Sequence, residues 1–496
     1  MGPRDHSETP PGRATARPSG PPLAPTGRPV PAPPTAPPGW APAEAAHGGE
    51  GGPPLWQQSP ADPRPPSSLD RAPDPGGPPS SPHPAPDPGG PAGPGRPRRW
   101  LIVALGLVAV VALLGAALAV RSAGTGDDAG ERASSPPPTA ATTTSLPEAT
   151  DAELRAAVDD ISADVEDLRG LDFQEPVAVD LASDDEFEQR LLEDFDEDAD
   201  ELETAGVLLA AFGLIEPDAD VVGAMRELLG GGVVGFYDPE TRELVVRGTS
   251  LSPYVRITIA HELTHALDDQ HFDLDRPEYD AADDETWYGF SALVEGSATR
   301  VERAYRQALS DDDRAAALAE ETELASGVDP TAVPFALVEE IISPYVDGEA
   351  FVEALLDDGG QDALDGAFAE PPSTSEQVLE PDAYLAGEGG VDVAAPAVDG
   401  EALDEGVVGM RTVRAVLAAE LGDEAAGSVA SGWGGDRAVT WRDGGRSCAS
   451  MAVEGDTAED TSSLRVAFET WAEAAPDDRV VSGDGGAPLT VESCAG

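Results

Sequence analysis

Residues 252–271 read Ser-Pro-Tyr-Val-Arg-Ile-Thr-Ile-Ala-His-Glu-Leu-Thr-His-Ala-Leu-Asp-Asp-Gln-His. Ser252 is suited to cap a helix and Pro253 to fill its first turn, so the stretch is predicted to form one helix ending near His271. Within it His261, Glu262, Leu263, Thr264 and His265 spell H-E-x-x-H. Imidazoles four residues apart share one face of a helix, where they can hold Zn²⁺, and the carboxylate between them can reach a water on that ion. The chain has six histidines. His6, His47 and His83 lie in a Pro/Gly-rich tail, whereas His261, His265 and His271 all fall on this helix. The alternative, a surface helix with two solvated histidines, does not account for that concentration.

Two histidines leave zinc short of the usual three protein ligands and a water. His271 completes the eleven-residue spacing of the metzincin consensus, with Asp268 where that consensus carries glycine and Met410 as the nearest downstream methionine. Glu295 is the other candidate. It lies in the run Ala292-Leu-Val-Glu-Gly-Ser-Ala298, where a carboxylate faces a desolvation penalty unless it pairs or binds a cation. Residue types alone leave both open.

Outward from the motif, composition divides the 496 residues. Residues 1–98, rich in Pro, Gly, Ala and Ser, are expected to be a disordered tail. Residues 99–121 contain the uncharged apolar run Trp100 to Val120, long enough to cross a bilayer as a helix. Arg96, Arg98 and Arg99 precede it and place the N-terminus in the cytoplasm, so the expected address is a single-pass cell-membrane protein with an extracytoplasmic domain. Residues 122–148 read as a Ser/Thr/Pro linker, and 149–496 as the folded domain. Of the 30 basic and 94 acidic residues, 9 and 8 lie in the first 99, so the rest carries 21 against 86, a formal −65. Such a surface excludes nucleic acid as a partner and favours solubility. Cys448 and Cys494 both fall on the outer side and are expected to form a disulfide.

Apolar periodicity predicts helices over 154–168, 184–194 and two more within 202–229. Strands are expected at 176–181, 233–237 and 244–247, the last two forming a hairpin around Asp238-Pro-Glu-Thr241. That hairpin would lay a sheet edge beside the motif helix, where an extended peptide could pair. Further helices are expected at 286–309, 335–342, 348–356, 413–421 and 463–474, with strands at 438–441 and 449–453. Residues 310–329 read as a mobile acidic excursion and 386–405 as loop. The class is α+β and mostly helical.

H-E-L-T-H, followed on the next long helix by Glu295-Gly-Ser-Ala298, resembles the gluzincin division of zinc peptidases, the peptidase-MA-like pattern. Gly235 to Pro239, Asp269 to Phe272, Pro372 to Gln377 and Gly432 to Arg437 are similar to segments of its bacterial and archaeal membrane-associated members. The likeness covers roughly residues 150–480. It implies a zincin-like fold, Zn²⁺ held by His261, His265 and Glu295, Glu262 as general base, and a peptide or protein substrate. Thr299 stands where an Asp often follows the ligand Glu by four, which leaves the support of the ligands unassigned. Tyr345 is a candidate donor to the developing oxyanion, and Gly432 to Arg437 either a substrate-side loop or a turn beneath Trp433. The two functional expectations are a membrane-anchored zinc metallopeptidase and a non-catalytic binding or adhesion module on the same fold; an intact Glu262 favours the first.

Overall fold

The computed structural model describes residues 147–496 except 194, 196–198, 281–282, 326–332 and 484–487. The expected tail, the apolar run at 100–120 and nearly all of the linker lie outside the described residues. Among the described residues no helix is long and apolar enough to cross a membrane.

The element order opens with α1 (Asp151–Arg169), β1 (Val179–Ala182), α2 (Asp184–Leu191), α3 (Ala199–Ala211) and α4 (Val221–Gly232). The hairpin β2 (Gly235–Asp238) and β3 (Glu243–Arg247) follows, then the motif helix α5 (Pro253–Phe272). Next come α6 (Pro277–Asp280), α7 (Asp284–Ala308), α8 (Asp311–Ala325), α9 (Phe335–Gly359), α10 (Gln361–Ala369), α11 (Ser375–Leu379) and α12 (Pro381–Ala386). The chain closes with β4 (Ala402–Gly406), α13 (Gly409–Leu421), α14 (Asp423–Ala430), β5 (Trp433–Asp443), β6 (Arg446–Gly455), α15 (Ala458–Glu473), β7 (Arg479–Ser482) and β8 (Leu489–Ala495). The fold is α+β and mostly helical, as the patterning predicts.

The first sheet has the order β1-β3-β2, with β1 parallel and β2 antiparallel to the central β3. Its two faces enter different cores, as period-two alternation requires. Leu244, Val246 and Tyr237 pack with α1 and with Leu263 and Leu267 of α5. Phe236 and Val245 face Phe187, Leu228, Ile341 and Ile342. The strand β2 is an edge of this sheet and packs on α5. Asp238 closes the hairpin by accepting from the Glu240 N–H (2.9 Å) and the Thr241 hydroxyl (2.6 Å).

A second sheet, unforeseen in extent, is antiparallel with the order β4-β5-β6-β8-β7. It packs with α13 and α15, and Phe212 from the end of α3 joins that core 6.1 Å from the Trp471 ring. Cys448 and Cys494 sit opposite one another on β6 and β8 and are bridged.

Three expectations are corrected. Residues 311–325 form helix α8 rather than an excursion, because Ala317 and Glu321 bury against the rest of the chain. The expected break between 342 and 348 is absent: α9 runs straight through Pro344. A proline inside a helix costs about 3 kcal/mol, here outweighed by burial of Ile341, Ile342, Tyr345, Phe351, Val352 and Leu355 along the same helix. Residues 402–405, the end of the expected loop at 386–405, are recruited into the edge strand β4 by pairing with β5.

Helices α7 and α9 approach at backbone contact. A Cβ on Gly296 would overlap the Gly348 carbonyl, and one on Gly348 would overlap the Ala292 carbonyl. Helix propensity alone makes Gly→Ala favourable by about 1 kcal/mol. Here the sign reverses: Gly296→Ala is expected to destabilise by on the order of 3 kcal/mol, since overpacking against backbone cannot be relieved by a rotamer change. The midpoint of urea unfolding checks it.

Candidate metal centre

The motif helix α5 is built as its sequence dictates. The Ser252 hydroxyl accepts from the Val255 N–H (3.1 Å), Pro253 occupies the first turn, and Asp273 closes the helix in the left-handed region at φ 60°. Buried residues occupy every side of it from Tyr254 to Asp269, so the helix lies inside the fold. That position puts His261, Glu262 and His265 at 0 % exposure.

Helix α7 crosses beside it and delivers Glu295, which is 1 % exposed. Glu295 Oε2 lies 3.3 Å from His261 Nε2 and 3.5 Å from His265 Nε2. One ligand atom from each of His261, His265 and Glu295 falls within 4.8 Å of the others. Among the described residues this is the one group of three or more His, Cys, Asp or Glu so arranged. The donor set suits a divalent cation, and an orphaned polar atom supports the fit. The 3.5 Å approach of His265 Nε2 is an ion-pair distance without hydrogen-bond geometry, so this buried nitrogen has no hydrogen-bond partner. A cation drawing on Nε2 of both imidazoles and on the carboxylate would satisfy it.

Without a cation the charges sort themselves as a buried pair should. Burial opposes charge on His261, yet hydrogen bonds to Glu295 and Glu302 outweigh it and hold its pKa up to about 10. Burial also dominates at His265, whose pKa falls below its ordinary value. At Glu295 burial favours the protonated form, but the two imidazoles prevail and hold it ionised.

The other nitrogen of His261, Nδ1, is 3.2 Å from Glu302 Oε2. Glu302 was missed by sequence reasoning, which looked four residues past Glu295 and found Thr299. The available signal was a charged residue at heptad spacing from the ligand, the same face of α7 two turns on.

Glu262 is not one of the three candidate ligands. A Cβ on Gly235 would stand 3.0 Å from its Oε1, so the carboxylate lies beneath strand β2 at the one residue type that leaves it room. Burial drives its pKa well above the ordinary carboxyl range, against the counter-pull of charged His261. The Tyr237 backbone N–H faces it and lowers the pKa a little, but neither oxygen reaches hydrogen-bond geometry with any group.

His271 does not join this group. Because α5 continues unbroken through Asp268, no glycine turn redirects the chain, and His271 Nε2 instead lies 2.8 Å from the Asp172 carbonyl oxygen. Asp268 is spent on structure: it pairs with Arg169 Nε (2.7 Å) and accepts from the Ser297 hydroxyl (2.7 Å). Asp269 accepts from the Tyr237 hydroxyl (2.7 Å), tying the hairpin to the motif helix, and Gln270 accepts from the Gln174 N–H (2.7 Å). Tyr345 is brought to the site, its ring stacked on His261 with centroids 5.9 Å apart.

The segments Pro372 to Gln377 and Gly432 to Arg437 are used away from the ligands. Ser375 donates to Glu285 at the start of α7 from its N–H (2.7 Å) and hydroxyl (2.8 Å). Asp436 accepts from the Val408 N–H (2.7 Å), the Gly409 N–H (2.9 Å) and Trp433 Nε1 (2.8 Å). These bonds make Gly432 to Arg437 a packed turn and strand start beneath a buried Trp433.

No family model matches the chain, and no curated protein or solved structure matches it.

Proposed function

We propose that the chain is a zinc metallopeptidase of gluzincin type, anchored in the cell membrane by its apolar run at 100–120 with residues 149–496 outside. The observation that carries this reading is the joint burial of His261, His265 and Glu295 around one point, with an unpartnered Glu262 carboxylate on the same helix beside the edge strand β2. Two imidazole nitrogens and one carboxylate oxygen are donor types that suit zinc.

His261, His265 and Glu295 would hold Zn²⁺, which would supply Lewis acidity to a water and to the substrate carbonyl. Glu262 would serve as the general base, taking a proton at its carboxylate and passing it to the leaving amine, and both of its oxygens are without a hydrogen-bond partner. A peptide or protein substrate belongs to the same reading. Tyr345 is the nominated oxyanion donor.

The test is zinc content and cleavage of an unbiased peptide library by the purified full-length chain. Stoichiometric zinc with chelator-sensitive cleavage is expected; a zinc-free protein indifferent to chelators would sink the reading and leave the non-catalytic module in its place. The ligand set is checked separately. Glu295→Ala is expected to lose stoichiometric zinc on dialysis, whereas His271→Ala, which gives up the contact with the Asp172 carbonyl and a ring contact with Phe272, keeps it.

A further inference from the structure

The two histidine ligands are held unequally. His265 Nδ1 has no hydrogen-bond partner, whereas His261 Nδ1 meets Glu302 at 3.2 Å. A carboxylate on one ring nitrogen fixes the tautomer and the ring plane, and thereby aims the other nitrogen. Glu302 follows Glu295 by seven residues, two turns along one face of α7 and a rise of about 10.5 Å. A single helix therefore presents both the ligand carboxylate to His261 Nε2 and the orienting carboxylate to Nδ1.

Glu302 is itself held. Its Oε1 lies 3.2 Å from Arg306 Nη2, and Arg306 Nη1 lies 2.8 Å from Glu321 Oε2 on α8. The side chains of Glu302 and Glu321 are only 13 % and 6 % exposed, so water screens these links weakly. Of the residues on α8 only Ala317 and Glu321 are fully buried, which makes the Arg306–Glu321 pair a main attachment of that helix.

We propose that Glu302 is the positioning residue for His261, and that α8, acting through Glu321 and Arg306, sets the affinity of the metal centre without contacting it. This rests on the metal reading above and adds what tunes the site. An ordinary surface ion pair would be worth little; this one ends on a ligand ring, so its loss is read as metal affinity rather than as stability alone.

The experiment titrates Zn²⁺ into the full-length chain in competition with a chromogenic chelator, and records the visible spectrum of the Co²⁺-loaded protein. Glu302→Ala is expected to weaken Zn²⁺ binding by about 10–100-fold and to alter the Co²⁺ bands. Glu302→Gln, whose amide oxygen can still accept from Nδ1–H, loses less. Glu321→Ala shifts both readouts the same way by a smaller factor, while Asp312→Ala on the exposed side of α8 moves neither. If Glu302→Ala does not fold, Glu302→Gln and Glu321→Ala decide. Folded Glu302 and Glu321 variants with wild-type Zn²⁺ affinity and an unchanged Co²⁺ spectrum would overturn the proposal while leaving the metal centre intact. A wild-type chain without Zn²⁺ affinity would overturn the metal reading and this one together.

Discussion

Glu262→Gln is expected to abolish peptide hydrolysis while leaving zinc bound and the fold intact. Gln preserves the shape that fits beneath Gly235, and Glu262 is not among the three residues that gather around the metal position. On the proposed mechanism only proton transfer is removed, which lowers kcat/KM by about 10²–10⁴-fold. Stability should change little, because one buried polar group without a hydrogen-bond partner is replaced by another of the same shape. Activity assays, zinc analysis and thermal unfolding of the same preparation separate these effects. A variant that keeps wild-type kcat/KM would remove Glu262 from the mechanism.

Arg169→Met carries the largest expected effect on stability. Arg169 ends α1 at 0 % exposure, pairs through Nε with Asp268 (2.7 Å) and through Nη1 with Asp365 (2.9 Å), and lies over the rings of Phe272 and Phe368 at 5.6 Å from each. Burial already pushes the Asp268 pKa up, with the guanidinium as the main opposing influence. Removing Arg169 leaves that carboxylate buried without a cation, at a cost of about 3–5 kcal/mol. Asp268 is three residues past His265 and holds Ser297, two past Glu295, so the loss should weaken zinc binding as well. Arg169→Lys should rescue poorly, since one ammonium cannot span two carboxylates in the plane of the guanidinium fork. The double variant Arg169→Met with Asp268→Asn should recover part of the loss, because no charge is then stranded. Urea unfolding of the four proteins checks the cycle, and additive single effects would contradict the pairing.

Both predictions concern α5, yet they were not equally legible. Glu262 is readable because a helical period fixes its place between His261 and His265. Asp268 was read for a possible glycine-like turn, and the partner that settles its role, Arg169, lies 99 residues away. The choice between His271 and Glu295 has the same character. Spacing along the chain admits both, and only the packing of α7 against α5, with the unbroken helix through Asp268, brings Glu295 to the imidazoles and sends His271 to the Asp172 carbonyl. Pro344 and the acidic stretch at 311–325 misled for a related reason: local propensity argues against a helix in the first and for solvation in the second, and burial decides otherwise.

The sequence by itself determined the elements whose causes are local: the capped motif helix with its histidine pair on one face, the hairpin closed by Asp238, and the division into a Pro/Gly-rich tail, an apolar run and an acidic remainder. Tertiary structure alone decided which carboxylates serve the histidines. Glu295 and Glu302 act on His261 across the gap between α5 and α7, which the hydrogen bond from Ser297 to Asp268 also spans. Helical periodicity acts over a few residues and can be read along the chain; charge pairing and close packing act through space, between residues whose separation in sequence says nothing of their distance.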